Sequence, residues 1–160
     1  MQSVNVICIG KLKEKYLADA IKEYSMRLTP FCKFQIIELD EYRLPDKPSP
    51  AQIEACLEDE GKRILSKISK NSFVISMCIE GKLASSEELS RMVADAGVMG
   101  KSTVDFVIGG SFGLSDEVKK RGDFRLSMGR MTFPHQLARV MICEQIYRSF
   151  QIMTGGKYHK

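Results

Sequence analysis

Three short stretches of this 160-residue chain hold residue types suited to binding or chemistry. The first is Gly109-Gly110-Ser111-Phe112-Gly113, which follows an apolar run. Glycines there let the backbone turn sharply and let a ligand approach it closely. The spacing is not G-x-G-x-x-G, and no acidic residue closes a following strand as a dinucleotide site requires. The string does match G-x-S-x-G with Ser111 as nucleophile, but a hydrolase also needs an acid and a histidine placed downstream. The only histidines are His135, at a helix start, and His159, next to the last residue. The second stretch is Met128-Gly129-Arg130-Met131-Thr132-Phe133-Pro134-His135. Its methionines and Phe133 suit an apolar pocket wall, and its free amides suit the edge of a purine. Thr132 is placed to cap the following helix and Pro134 to enter its first turn. A plain strand-to-helix connection is the other reading of the same residues. The third stretch is the basic tail, Lys157-Tyr158-His159-Lys160.

Charge singles out the same end of the chain. Residues 119–160 carry nine Lys/Arg and two Asp/Glu, a balance of +7, while residues 1–118 carry fifteen and eighteen, a balance of −3. A basic end on a mildly acidic body fits a bound polyanion, and equally an uneven solvated surface. Gly100-Lys101-Ser102 looks like the end of a phosphate-binding P-loop. Position 95 is aspartate where that motif needs glycine, and the tripeptide precedes a strand instead of following one. The five cysteines, at 8, 32, 56, 78 and 143, lie among apolar neighbours without a C-x-x-C pair. They read as buried free thiols of a reducing compartment, with no metal site. The N-terminus is too short and strand-like for a signal peptide, and no apolar run approaches the roughly 20 residues that span a bilayer. The cytoplasm is the expected location.

These stretches need elements to position them. Apolar runs at 4–9, 34–39, 73–79, 103–108 and 124–126 predict strands. Helical periodicity predicts helices over 15–28, from Ser49 past Ile68, from Ser85 to Gly97 or Gly100, over 115–121 and over 134–153. Ser49 with Gln52, and Ser85 with Glu88, form capping boxes; Ser115 caps the short helix. Alternating strands and helices, with strands apolar on both faces, predict an α/β fold: a mostly parallel sheet with helices on both sides. Length allows one domain, or one and a small appendage. In such sheets ligands bind beyond the carboxyl ends of the strands, which directs attention to the loops after Ile79, Ile108 and Leu126. The last helix carries apolar residues widely. Leu137, Val140, Met141 and Tyr147 lie toward one side, and Ile142, Cys143, Ile146, Phe150 and Met153 toward another. That breadth predicts cover by a second subunit, hence a homodimer. Glu144 and Arg148 are spaced to pair with each other.

The strings FVIGGSFGLS at 106–115, MTFPHQLARV at 131–140, EQIYRSFQI at 144–152 and the terminal Tyr158-His159-Lys160 resemble the RlmH-type ribosomal RNA methyltransferases of the SPOUT superfamily. The likeness runs the whole length, including the opening VNVICIGKLKEKY and the IEGK after the third strand. It implies a single domain over 1–160 whose C-terminal part forms a trefoil knot, and a homodimer. It implies S-adenosyl-L-methionine as methyl donor and no metal. The implied substrate is N3 of a pseudouridine in large-subunit (23S) ribosomal RNA, on the assembled ribosome. Carried over by position, the donor pocket is formed by Met77, Gly109, Met128, Gly129, Arg130, Met131, Thr132 and Phe133. Met77 stands where the family often has leucine, a change that keeps the apolar volume. His159, with Tyr158 beside it, is the implied base or acceptor-positioning residue. Arg130, Arg139, Lys157 and Lys160 are the implied contacts to RNA, and His135 is expected to be structural. Two rival readings stand beside this one: a non-catalytic ribosome-binding factor of the same fold, and a hydrolase using Ser111.

Overall fold

Burial on both faces explains why the strand sequences read as unbroken apolar runs. The computed structural model describes all 160 residues, Met1–Lys160. The strands are β1 (Ser3–Ile9), β2 (Lys33–Leu39), β3 (Phe73–Lys82), β4 (Thr103–Ile108) and β5 (Phe124–Leu126). The helices are α1 (Lys15–Leu28), α2 (Pro50–Lys67), α3 (Ser86–Val98), α4 (Asp116–Arg121) and α5 (His135–Met153). The strands form one sheet in the order β2-β1-β4-β3-β5, and every pairing is parallel. Val4, Val6, Cys8, Val104, Phe106 and Ile108 face a core that includes Ile21 and Leu28 of α1, Leu89 and Val93 of α3, and Ile142, Ile146 and Phe150 of α5. Ile7, Ile9, Val74 and Val107 face the opposite way, onto Ile64 of α2 and Val118 of α4. Helices therefore cover both faces, as the α/β pattern predicts. No helix is long and apolar enough to cross a membrane.

The helix starts follow from local chemistry. Ser49 Oγ accepts from Gln52 N at 3.2 Å and Gln52 Oε1 accepts from Ser49 N at 2.8 Å, closing a capping box. Ser85 and Glu88 repeat it at 3.1 and 2.7 Å, and Ser115 Oγ accepts from Val118 N at 3.3 Å. The start of α5 differs from expectation. Pro134 is itself the N-cap residue, no side chain caps the helix, and Thr132 lies two residues too early to reach the first-turn amides.

The third strand continues past the predicted 73–79, to Lys82, through an irregularity that lets Met77 and Lys82 both oppose Leu126. Ser127 N donates to the Lys82 carbonyl at 2.9 Å. Gly81 permits this crossing, since a Cβ there would lie 2.7 Å from the Arg125 carbonyl oxygen.

One side of α5 is fully buried, with Arg139, Ile142, Cys143, Ile146, Ser149 and Phe150, while Val140 and Tyr147 pack against the edge of the same core. Leu137 is 38% exposed, and Val140, Met141 and Tyr147 are half-buried. Arg139, expected at the RNA surface, is instead an interior pin with 1% exposure. Its guanidinium donates to the carbonyls of Ile9 (3.2 Å) and Gly10 (3.0 Å) and to Glu38 Oε2 (2.8 Å). It shares the helical stripe of Ile142, Cys143 and Ile146, so the turn geometry of α5 carries it inward. There it satisfies two strand-end carbonyls and ties α5 to β1 and β2.

Removing this pin leaves those carbonyls unmatched. Arg139→Ala is expected to lower the unfolding free energy by about 3 kcal/mol, since it removes charged-donor hydrogen bonds to two interior carbonyls, while the Glu38 partner is 37% exposed and adds little. Arg139→Lys, with fewer donors in no fixed fork, should recover part of that. Ser49→Ala and Ser85→Ala should each lose about 1 kcal/mol through the cap alone. Gly81→Ala should lose more than either because of its close carbonyl contact. Urea unfolding of the five variants checks this ranking, which an Arg139→Ala loss no larger than a cap loss contradicts.

Candidate active site

The three loops singled out at the strand ends converge on one cleft of about 400 Å3. From β3 come Met77, Cys78 and Ile79; from β4 and its loop come Ile108, Gly109, Gly110, Ser111 and Gly113. From β5 onward come Leu126, Met128, Gly129, Met131, Thr132, Phe133, Pro134, His135 and Ala138. The walls are largely apolar side chains interleaved with glycine backbone, the composition of a small-molecule pocket.

The glycines are required by the geometry. The 109–113 loop folds back on itself through a Gly110–Gly113 bridge, with Gly113 N donating to the Gly110 carbonyl at 3.0 Å. Gly113 has φ +82, a left-handed conformation that disfavours side chains. At Gly109 a Cβ would collide with the Gly113 carbonyl. Across the cleft Gly129 has φ +125. Ser127 Oγ accepts from Gly129 N and donates to its carbonyl, both at 3.2 Å, which closes the turn that opens the second wall.

Of the residues implied for donor binding, the cleft brings together Met77, Gly109, Met128, Gly129, Met131, Thr132 and Phe133; Arg130 is exposed and outside it. Cys78, Ile79, Ile108, Leu126 and Ala138 also line the cleft and were not among the implied donor-binding residues. The carboxyl-end rule for parallel sheets points to the first four. His135, expected to be structural, stands in the cleft wall. Burial lowers its pKa against the pull of Glu41, with smaller contributions from the Arg139 and Lys13 cations, and favours the neutral ring. Burial likewise pushes the Cys78 thiol up, so it stays protonated and behaves as an apolar wall. Ser111 and His135 border the same cleft, but no hydrogen bond joins them.

The tail lies elsewhere. Tyr158 Oη donates to Glu144 Oε1 at 3.0 Å, and its ring meets Tyr147 edge-on at 4.9 Å. Arg148 pairs with Glu144 at 2.6 Å and sets its guanidinium 4.7 Å from the centre of the Tyr158 ring. His159 is gripped at both nitrogens: Nδ1 is 3.1 Å from Arg148 Nη1, and Nε2 is 2.7 Å from Glu87 Oε1. An arginine only donates, so Nδ1 accepts and Nε2 carries the proton given to Glu87. That bond holds the Glu87 carboxyl below the usual carboxylate range. Burial first, then Glu144, pushes Tyr158 up to about 12, so it remains a phenol at neutral pH. Lys157 and Lys160 are exposed. The tail is thus docked on α3 and α5 of its own chain. A second hollow of about 350 Å3 lies beside it, includes Glu144 and shares Leu126 and Met128 with the cleft. No group of three or more His, Cys, Asp or Glu is arranged to hold a metal.

Comparisons with known proteins agree with this architecture. A family profile described as "Predicted SPOUT methyltransferase" matches residues 2–159. A protein from Clostridium acetobutylicum named "Ribosomal RNA large subunit methyltransferase H" is 52% identical over 158 residues, 99% of both chains. Proteins of the same name from Clostridioides difficile and Ligilactobacillus salivarius are 49% and 51% identical, again over 99% of each chain. Among solved structures, a probable methylase family protein from Haemophilus influenzae Rd KW20 aligns with a TM-score of 0.56 at 15% identity. The alignment covers 98% of this chain and 70% of that one, and at such identity it speaks for the fold alone. With a family match across nearly the whole length and relatives at about half identity, the chain belongs to the SPOUT methyltransferases, in the group of the ribosomal RNA large subunit methyltransferases H.

Proposed function

We propose that this methyltransferase moves a methyl group from S-adenosyl-L-methionine to N3 of a pseudouridine in 23S ribosomal RNA, on the assembled ribosome in the cytoplasm. The observation that carries the reading is the convergence of Met77, Gly109 and the 128–133 loop on one cleft, in a chain half identical to large-subunit ribosomal RNA methyltransferases over its full length. The lining suits the donor. Met77, Met128 and Phe133 offer apolar contact to an adenine ring and a thioether, while glycine-rich backbone offers amides and carbonyls to its polar edges. Bound there, S-adenosylmethionine supplies a methyl group on a sulfonium, to be displaced in line.

The chain's own part is alignment and proton handling. Alignment supplies much of the acceleration of such a displacement. The acceptor N3–H loses its proton as the methyl arrives, a task suited to a neutral imidazole. His159 is the proposed base or acceptor-positioning group, with Tyr158 as a hydrogen-bond donor, since its raised pKa rules out a phenolate at neutral pH. In its docked state His159 spends both nitrogens on Arg148 and Glu87, so catalysis requires its release. A tail that only grips RNA is the second reading. It is favoured by the docking of Tyr158 and His159 outside their own cleft, beside the exposed Lys157 and Lys160.

The homodimer belongs to the same proposal. The exposed Leu137 and the half-buried Met141 of α5 are apolar surface that a second copy would cover, whereas Tyr147 already packs on Tyr24, Phe31 and Tyr158. A partner also offers the cleft a tail that its own chain holds elsewhere. The trefoil knot is proposed as well. It is supported by the passage of residues 125–127 against Gly81 and Lys82, after which α5 returns to pack on α1 and α3.

Calorimetry with S-adenosylmethionine should show binding, and a chain that binds none would be the non-catalytic factor. Labelled methyl groups should pass to ribosomes from a strain lacking the modification. Deleting Tyr158 to Lys160 should leave donor affinity nearly unchanged and slow transfer by about 100-fold or more if the tail supplies the base. Full labelling by the truncated chain would leave the tail no catalytic part.

A further inference from the structure

The 109–113 loop is a thin partition. Ser111 borders the donor cleft on one side and a separate hollow of about 390 Å3 on the other, where Tyr42, Glu60 and Phe112 also lie. Ser111, Phe112 and Gly113 are exposed, so packing does little to fix the tip. The loop is braced from behind by one turn of α2. Glu60, only 5% exposed, accepts the Tyr42 N–H on Oε2 at 3.0 Å. Its Oε1 faces Gly110, where a Cβ would lie 3.3 Å from that oxygen and 3.3 Å from Ile9 Cγ2. The next residue, Gly61, abuts the far end of the loop, for a Cβ on it would come within 2.5 Å of Ser115 Oγ. The same turn holds the exit of β2, because Arg63 pairs with Asp59 at 2.9 Å and donates to the Asp40 carbonyl.

A buried carboxylate is an expensive way to fill space. Burial raises the pKa of Glu60, opposed by the Tyr42 amide and by Arg63. An apolar side chain would serve packing alone with less desolvation. What the carboxylate adds is an acceptor for the Tyr42 amide on one oxygen while the other rests against Gly110.

We propose that Glu60 is a positioning residue of the methyltransferase, tying the loop after β2 to the 109–113 loop and so fixing the cleft wall at Gly109 and Gly110. The proposal rests on reading the cleft as the donor site. Glu60 touches neither donor nor acceptor, so its effect falls on donor affinity and not on the chemical step.

The test compares the full-length wild type, Glu60→Ala and Glu60→Gln, by calorimetry with S-adenosylmethionine and by methyl transfer to unmodified ribosomes. Glu60→Ala is expected to weaken donor binding about tenfold or more, while turnover at saturating donor stays within about threefold. Glu60→Gln keeps an oxygen for the Tyr42 amide and should bind the donor within about threefold of wild type. Wild-type affinity in Glu60→Ala, or equal losses in both variants, overturns the proposal. If Glu60→Ala does not fold, Tyr42→Pro removes the amide that Glu60 accepts and leaves the cleft lining intact. It should weaken the donor in the same way, and unchanged affinity there overturns the proposal too. A wild type that binds no donor defeats the reading of the cleft itself, whereas a binding wild type with an indifferent Glu60→Ala defeats this inference alone.

Discussion

At the crossing of two backbones, Gly81 and Lys82 press against residues 125–127, close enough that a single Cβ at Gly81 would intrude. This contact adds to the pairing that holds β5, a strand of only three residues, against Ile75–Met77 of β3. Everything after β5 takes its position from there. The 128–133 wall of the cleft begins one residue beyond the Ser127–Lys82 hydrogen bond. The last helix then runs back across the sheet to bury Ile142, Ile146 and Phe150 against α1 and α3. The crossing is therefore a constraint on both the site and the core, and it explains why the same short segment joins an irregular strand end to a glycine turn.

Charge is organised around that frame in two ways. Inside, Arg139 donates to two strand-end carbonyls and to Glu38, which lets a cation sit at 1% exposure although its Nε finds no partner. Outside, Glu144, Arg148, Tyr158, His159 and Glu87 form a chain of charge-assisted contacts that parks the tail on its own helices. These contacts are partly exposed, so each is individually weak. A buried pin thus holds the helix while partly exposed contacts hold the tail.

Much of this was legible in the sequence because it depends on local chemistry. Ser49, Ser85 and Ser115 cap helices as their neighbours require, and parallel strands place a ligand cleft at their carboxyl ends. The rest depends on tertiary placement. Arg139 looks like a surface cation until the stripe it shares with Ile142, Cys143 and Ile146 is seen to face the core. Thr132 has the chemistry of a cap but stands too far upstream of His135. His135 lies in a loop already suspected of lining a pocket, yet its position at a helix start suggested only structure. Glu60 belongs to an acidic run, Glu58-Asp59-Glu60, in which nothing local marks the third residue as buried. The extension of β3 to Lys82 requires β5 beside it, which no strand periodicity reveals.

The central claim is that the loops after β3, β4 and β5 act together as one donor site. Hydrogen exchange of backbone amides, with and without S-adenosylmethionine, tests it most directly. The account predicts that the donor slows exchange at 77–79, 109–113 and 128–135 together. Protection confined to one of these loops, or appearing instead along the hollow beside Glu144, would contradict it.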